Sequence, residues 1–266
     1  MQLTNLFVFA STLAVTSAFP ARPRCSTNSS ATITAQATST ATSSATPSAT
    51  SVSNIAYVLP TNGGATPLAS PPTGSVLQHI AVGHGIQNYT CTAAGVNGTS
   101  IGALAVLYDA TSLYPGSGSD SLSQADWDSL TSKVLRTTSM PIDQSNGAAS
   151  PFPADAALTV DGVAAPLPYL ARHYFDSNKV PTFDLSPALF KGSKTTDILA
   201  PSSSDKGLTD EGAVDWLALS DAGGSVTINM VYRVLTSGGF QGICAAAGDS
   251  QSVPYTAMYW FYAPSA

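Results

Sequence analysis

Charged side chains are scarce in this sequence, and the basic ones form no cluster. Lys, Arg, Asp and Glu together make up 10% of the 266 residues, and the formal net charge is −6. A protein that binds nucleic acid needs a stripe of basic side chains to displace counterions from the phosphates, and anionic membrane surfaces attract basic segments in the same way. The composition therefore excludes a nucleic-acid partner and argues against binding to an anionic membrane surface.

Long apolar runs are absent as well, so we predict no membrane span. The longest run, Leu6 to Val15, is shorter than the ~20 residues that cross a bilayer as a helix. It does have the length of the apolar region of a secretory signal peptide, and the small residues after it suit cleavage following Ala18. The sequence thus predicts a signal peptide at residues 1–18 and a protein secreted to the extracellular space or the cell wall.

Residues 26–53 lack charged and aromatic side chains altogether, and 17 of these 28 residues are Ser or Thr. Such a segment cannot bury enough apolar surface to offset the entropy lost on ordering it. In a secretory pathway, exposed hydroxyl groups of this density are typical of O-glycosylation. We predict a disordered, O-glycosylated stalk at residues 19–56, with an undecorated linker as the alternative, and a single β-rich domain at residues 57–266.

Three N-glycosylation sequons agree with secretion. They begin at Asn28, Asn88 and Asn97. The motif is short and arises by chance, so each sequon is weak by itself. Asn88 is the least suitable acceptor of the three because it lies inside a strand-like run.

Cysteine is also rare, with three in the chain. In an oxidising compartment Cys91 and Cys244 are the natural disulfide pair, because both lie in sequence that has the pattern of regular structure. Cys25, at the head of the stalk, is then left over. The sequence leaves open whether Cys25 is free, pairs between chains or is removed by processing near Arg24.

Apolar periodicity predicts a domain made mainly of strands. From Val226 to Leu235 apolar residues alternate with the period of two of a strand, and Ile101 to Tyr108 is nearly continuously apolar, as in a strand buried on both faces. The strand-like run from residue 76 to 91 contains Gly83-His-Gly85, which predicts a tight hairpin or a bulge there. Further strand candidates are residues 173–185, 214–219 and 255–262.

One helix is predicted among these strands. Ser123 with Asp126 resembles a capping box, and Trp127, Leu130 and Val134 then share one helix face. Connections rich in Gly, Pro and Ser elsewhere suit the loops of an all-β domain. The predicted architecture is all-β and mainly antiparallel, a β-sandwich or distorted barrel with one short helical insertion.

Several spaced motifs resemble those of a known family. In chain order they are Gly85-Ile-Gln-Asn-Tyr89-Thr-Cys91, Ala105-Val-Leu-Tyr-Asp-Ala110, His173-Tyr-Phe, Pro181-Thr-Phe-Asp-Leu185, Val214-Asp-Trp-Leu217, Tyr232-Arg-Val, Gly238-Gly239, Cys244, Val253-Pro-Tyr and Tyr259-Trp-Phe-Tyr262. In order and spacing, over about residues 57–262, the chain resembles the secreted domain-of-unknown-function family 3455 of fungi and bacteria. The resemblance implies an exported β-rich domain and supports the disulfide between Cys91 and Cys244, but it implies no established activity.

Fungal members of that family often carry the label malate dehydrogenase, which the segment Gly83-His-Gly85-Ile-Gln-Asn88 can test. It has Asn where the third glycine of the dinucleotide fingerprint GxGxxG belongs. That fingerprint must also open a helix whose N-terminus faces the pyrophosphate, whereas Tyr89-Thr-Cys91, which follows, is strand-like. Secretion would further remove the protein from cellular nicotinamide pools. The sequence therefore argues against a dehydrogenase.

The chain has three histidines, His79, His84 and His173, and no HExxH pattern. Three imidazoles bind catalytic zinc when the fold brings them together, and a metal-activated water would then be available for hydrolysis. Ordinary hydrogen-bonding roles for the three are the expected alternative. We therefore predict no cofactor, except a metal ion if these histidines converge.

Carboxylates are the other candidates for catalysis. Asp109, Asp184 and Asp215 lie at the ends of predicted strands, where two carboxylates can form the pair that glycosidases use. Asp at a strand end is more often a turn residue. Asp109 and Asp184 join the three histidines as the candidate ligand or metal site. Neither a GxSxG elbow nor the lysine of a P-loop is present.

Aromatic residues crowd the last predicted strand, from Tyr255 to Tyr262. Core packing is expected to take most of them. An exposed subset, for which Tyr89, Trp216 and Trp260 are the candidates, would form a platform that stacks on sugar rings. The sequence thus supports two hypotheses: a non-enzymatic secreted domain that binds cell-wall or extracellular polysaccharide, and a metal- or carboxylate-dependent hydrolase of extracellular polymer.

Overall fold

Eight antiparallel strands close into a barrel in the computed structural model, which describes residues 55–63, 66–145 and 150–265. The strands are β1 (Val76–Thr90), β2 (Thr99–Asp109), β3 (Tyr169–Phe175), β4 (Pro181–Asp184), β5 (Leu189–Ile198), β6 (Trp216–Asp221), β7 (Met230–Gly238) and β8 (Ser250–Ala263). The all-β prediction is confirmed, and of its two alternatives the barrel is the one observed. The predicted signal peptide and nearly all of the predicted stalk lie outside the described residues.

Each strand pairs with the next strand in sequence, and β8 pairs with β1 to close the barrel. The closing pair is the longest in the sheet and runs from Val76 opposite Ala263 to Thr90 opposite Ser250. A closed barrel leaves no sheet edge unpaired. Its eight strands enclose an interior that side chains can fill or that can hold one small ligand.

Side chains on the inner face of the wall form one apolar core. Because successive residues of a strand point to opposite faces, the odd-numbered residues of β8 from Tyr255 to Phe261 point inward. They pack with residues from the other strands, among them Leu107, Phe183 and Phe190. This core closes the barrel at one end.

A second apolar core covers the outer face of β7, β8 and β1. It includes Met258 and Trp260 of β8 together with Trp127, Leu130 and Val134 of the segment between β2 and β3. That segment contains two short helices, α1 (Gln124–Asp128) and α2 (Leu130–Thr137). The outer wall is therefore buried beneath helices and loops on this side.

The predicted helix start is correct, but the helix is divided in two. The Ser123 hydroxyl accepts the backbone N–H of Asp126 at 3.1 Å, as in a capping box. Ser129 then ends α1 and precedes α2. Arg136 of α2 also pairs with Asp205, which ties the helix to the loop between β5 and β6.

Gly83 and Gly85 do not interrupt β1, contrary to the predicted hairpin or bulge at this point. The strand keeps its register with both neighbours through the glycines, and its irregularities lie elsewhere, at Leu77–His79 and Asn88–Tyr89. A Cβ atom on Gly83 would lie 2.6 Å from the ring of Tyr259. The glycines are therefore explained by close approach inside the barrel.

Two other strand predictions need correction. The alternation from Val226 to Leu235 forms a strand only from Met230, because Thr227 has the left-handed backbone conformation with φ 72°. The candidate at residues 173–185 is a hairpin of β3 and β4. The carboxylate of Asp176 closes its turn by accepting the backbone N–H groups of Asn178 and Val180.

Cys91 and Cys244 form a disulfide across a sequence separation of 153 residues, as predicted. Cys91 directly follows β1, and Cys244 lies in the connection between β7 and β8. The bond thus fixes that connection to the end of β1. In the part of the chain that the structure describes, no helix is both long and apolar enough to cross a membrane.

Candidate functional site

The barrel encloses a cavity of about 610 Å³ that is open at one end. It reaches the surface near Ser100, Lys179 and Ser193, which are exposed. Twelve of the 23 residues that line it are apolar or aromatic: Tyr89, Ala103, Phe175, Val180, Pro181, Phe183, Val214, Leu217, Leu219, Ala222, Phe240 and Tyr259. A concave, largely apolar cavity with a few polar groups is the usual form of a small-molecule site.

The cavity lies toward one end of the barrel. Ala103 and Gly192 line the cavity, whereas the other end is filled by Phe190, Phe261 and Leu107. The barrel is therefore packed at one end and hollow at the other.

Arg233 of β7 contributes a guanidinium group to the cavity wall. It lies between Leu217 and Tyr259 on the adjacent strands, and its Nε donates to the backbone carbonyl of Asp215 at 3.1 Å. Within the described residues no carboxylate forms an ion pair with this guanidinium. Arg233, which is half-buried, therefore brings to a mainly apolar site a positive charge that no carboxylate contacts directly.

The tyrosines beside Arg233 are neutral at ordinary pH. The hydroxyl groups of Tyr255 and Tyr259 lie 2.9 Å apart inside the barrel. Burial raises the pKa of both phenols, while the charge of Arg233 opposes that rise. Burial likewise raises the pKa of Tyr89 to about 12, although Arg233 again acts to lower it. These phenol groups therefore bring no charge to the site.

His173 lines the same cavity as a neutral imidazole. Its ring stacks on Phe183 with 4.0 Å between centroids, and burial lowers its pKa to about 4. The Nδ1 atom lies 2.9 Å from the carbonyl oxygen of Thr182. Because a carbonyl oxygen only accepts, Nδ1 carries the proton and Nε2 is left as an acceptor.

Two carboxylates line the cavity on strand β5 and just before β6. Asp197 forms an ion pair with Lys194 at 3.0 Å. Burial raises the pKa of Asp215, whose ionisation the nearby charge of Asp197 also opposes, whereas Arg233 favours it. The Asp215 carboxyl therefore keeps its proton to a higher pH than an aspartate in water does.

The three histidines do not converge, so the proposed common metal site is not formed. His84 points to the outer face of β1, where its Nδ1 lies 3.2 Å from the hydroxyl of Thr138, while His173 points into the barrel. His79 lies near the start of β1 and contacts neither of them. No group of His, Cys, Asp and Glu suited to a metal ion occurs among the described residues. The strand period separates His84 from His173, because the wall of the barrel lies between its two faces.

Of the predicted ligand residues, the structure brings together only His79 and Asp109. Their Nδ1 and Oδ2 atoms lie 2.9 Å apart. Burial disfavours the ionised form of Asp109, but hydrogen bonds from His79 and Thr111 outweigh this and lower its pKa. Asp184 accepts the backbone N–H of Ser186 at 3.2 Å and is a turn residue. None of these three predicted residues lines the cavity.

The three predicted sugar-stacking residues do not share a surface. Trp216 and Trp260 are buried in the outer core, at 3% and 0% exposure, whereas Tyr89 lines the cavity and donates to the carbonyl of Gly239 at 2.7 Å. Packing against the outer layer takes both tryptophan rings, so they offer no face to a sugar.

The two sequons that the structure covers lie in different surroundings. Asn97 is exposed in the loop between β1 and β2. Asn88 lies within β1, where its side-chain carbonyl accepts the hydroxyl of Ser252 at 2.7 Å. Asn28 is outside the described residues. Glycosylation at these positions stays a prediction.

The residue that sequence analysis missed is Arg233. A weak signal was present, because strand alternation places Arg233 on the same face as the apolar Val231, which points into the barrel. A charged side chain beside an inward-facing apolar residue is uncommon unless it has a partner or a function. Phe175, Phe240 and Asp197 carried no comparable signal, since their positions in the cavity depend on the closure of the barrel.

Comparison with known proteins gives one match. The family model described as Protein of unknown function (DUF3455) matches residues 71–263, which include all eight strands. This match confirms the resemblance drawn from the motifs. No curated protein and no solved structure matches the chain significantly.

Proposed function

The chain belongs to the DUF3455 family of proteins of unknown function, and we propose that it is a secreted binding protein that holds a small, largely apolar organic molecule inside its barrel. The observation that carries this proposal is the open cavity of about 610 Å³ with its aromatic lining. Small-molecule sites are commonly cavities of roughly 300–1,000 Å³. Burying the apolar surface of a ligand there would supply the affinity.

Several sequence features support secretion as part of the proposal. The apolar run before Ala18, the Ser/Thr-rich segment and the sequons are typical of an exported chain. The disulfide between Cys91 and Cys244 suits an oxidising compartment. Protein recovered from the medium of a secreting host should begin at Phe19, and its N-terminal sequence would test the location separately from the ligand.

A polysaccharide is a less favoured partner than a small molecule under this proposal. A chain of sugar rings needs an exposed aromatic platform or a long cleft, and Trp216 and Trp260 are buried. Tyr89 could meet a single ring that enters the cavity. We expect the purified domain to remain unbound in pull-downs with chitin and glucan.

The binding test uses N-phenyl-1-naphthylamine, a neutral apolar fluorophore whose emission rises in apolar surroundings. We expect saturable binding at one site per chain. Ala103→Trp should abolish it, because Ala103 lines the cavity and is 3% exposed. Ser119→Trp, in the exposed loop after β2, is the matched control.

Ser100→Trp is the alternative cavity substitution if Ala103→Trp prevents folding, because Ser100 is exposed at the mouth of the cavity. Thermal unfolding establishes which variants are folded. Absence of saturable binding, or binding that survives both cavity substitutions in folded protein, would refute the proposal.

A carboxylate-dependent hydrolase is the second candidate. The observation that favours it is that Asp197 and Asp215 line one cavity, with the pKa of Asp215 raised by burial. A carboxyl group that keeps its proton can serve as a general acid. Activity on a panel of nitrophenyl glycosides and esters, lost in Asp215→Asn, would support this candidate over simple binding.

A further inference from the structure

Arg233 differs from the other arginines that the structure describes. Arg136 is paired with Asp205 and Arg172 with Asp155, both at the protein surface. Arg233 lies in the cavity wall and has no such carboxylate partner among the described residues. Because the guanidinium group is charged at every accessible pH, this charge is a permanent property of the site.

An unpaired charge in an apolar cavity is unfavourable unless something compensates it. The backbone carbonyl of Asp215 accepts one N–H group, from Nε. This bond uses one of the five N–H donors of the guanidinium, and the terminal nitrogens carry the other four. The fork geometry of those donors matches the two oxygens of a carboxylate.

The carboxylates of the cavity do not neutralise Arg233 by direct contact. Asp197 is held by Lys194, and Asp215 offers Arg233 its backbone oxygen while its side chain forms no ion pair with it. The cavity is lined by three cations, Lys179, Lys194 and Arg233, against these two carboxylates. Although the whole chain has a net charge of −6, the charges that line this site favour an anion.

The apolar part of the site lies beside this charge. Phe183 packs against Tyr259 with ring centroids 5.2 Å apart, and Tyr259 is the cross-strand neighbour of Arg233. Phe175 and Phe240 line the same cavity. A ligand can therefore place an aromatic or aliphatic body on these rings while its charged end meets the guanidinium.

We propose that the ligand of this cavity is a small organic anion with an apolar body, whose carboxylate or similar acidic group binds the guanidinium of Arg233. This inference rests on the proposed binding function and adds to it the charge of the ligand and the residue that recognises it. His173 supplies no second cation, because its imidazole is neutral above its lowered pKa of about 4.

The test compares two competitors of nearly the same shape, 1-naphthoate and the neutral 1-naphthamide, for displacement of N-phenyl-1-naphthylamine near neutral pH. We expect wild-type protein to prefer 1-naphthoate by about tenfold or more, the factor that a charge-assisted hydrogen bond typically gives. The preference should weaken as salt is added, since ions screen the attraction.

Arg233→Gln should remove the preference for 1-naphthoate and keep binding of the neutral fluorophore. Asp215→Asn should strengthen the preference for 1-naphthoate, because a negative group near the guanidinium is lost. Arg136→Gln, which removes a surface arginine of α2, is the matched control. It should change neither the preference for 1-naphthoate nor the binding of the fluorophore.

The outcomes separate this inference from the function on which it rests. If the neutral fluorophore does not bind, the binding function is wrong. If it binds and wild-type protein shows equal affinity for both competitors, the anion proposal fails alone. The wild-type comparison decides the matter even if Arg233→Gln does not fold, and a folded Arg233→Gln protein that keeps the preference would also overturn the proposal.

Discussion

Two buried histidines should make the domain sensitive to mild acid. His84 and His173 are 1% and 4% exposed, and burial lowers the pKa of each from 6.5 to about 4. Below the unfolded-state pKa, the unfolded chain binds protons that the folded chain does not, so the free energy of unfolding falls as the pH falls. The loss begins near pH 6.5 and is complete below about pH 4.

The size of the effect follows from the two pKa values. Each histidine should cost about 1.4 kcal/mol per pH unit within that window, or roughly 3 kcal/mol over its whole width. The two residues lie on opposite faces of the barrel wall and contact different groups, so their effects should add. The total is comparable to the ~5–15 kcal/mol that stabilises a typical domain.

Chemical denaturation at a series of pH values measures the slope of the free energy of unfolding against pH. His84→Asn and His173→Asn keep a polar donor near the position of Nδ1 but do not titrate, so each should remove about half of the slope. His79→Asn, at the half-exposed end of β1, is the control. Measurements should stay above about pH 4.5, because aspartates with a lowered pKa contribute only in stronger acid.

The slope itself can refute the reasoning. If it is unchanged in the double variant His84→Asn and His173→Asn, the two imidazoles are not the groups that titrate. Asp215 acts with the opposite sign, because its raised pKa makes the folded state bind more protons just above the usual range of Asp. Its contribution should be subtracted by repeating the series in Asp215→Asn.

Two further predictions concern stability. Replacing both Cys91 and Cys244 with Ala opens a closed loop of 153 residues. The chain-entropy relation then gives, as an upper figure, a loss of roughly 5 kcal/mol in the free energy of unfolding. A measured loss below about 1 kcal/mol in denaturant titrations would contradict this prediction. Gly85→Ala should destabilise the barrel severely, because a Cβ atom there would collide with the backbone of β2, whereas Gly118→Ala, whose Cβ has no neighbour within 4 Å, should leave the melting temperature nearly unchanged. Equal melting temperatures for the two glycine variants would show that close approach is not the reason for Gly85.

Local pattern predicted most of the strands but not their assembly. The nearly continuous apolar run from Ile101 to Tyr108 correctly indicated β2, and Ser123 correctly marked the start of a helix. The closure of the barrel depends on pairing Val76 with Ala263, at opposite ends of the domain. No short-range signal encodes a contact at that separation, so the sequence left a sandwich and a barrel equally open.

The candidate site was harder to predict than the fold. Histidines and aromatic residues drew attention because of their chemistry, yet His84 and Trp260 are held in the outer packing. The side chains that line the cavity come from all eight strands and from loops. They become neighbours only when the sheet curves into a cylinder, and Arg233 had no more local signal than its position two residues from the apolar Val231.

The pairing of Val76 with Ala263 also fixes where the barrel can be attached to something else. Both residues lie at one end of the β1–β8 pair, and Thr90 and Ser250 lie at the other end. The residues around the mouth of the cavity are on the side of Thr90 and Ser250. Fixing the protein to a sensor surface through its C-terminus therefore leaves the cavity facing the solution.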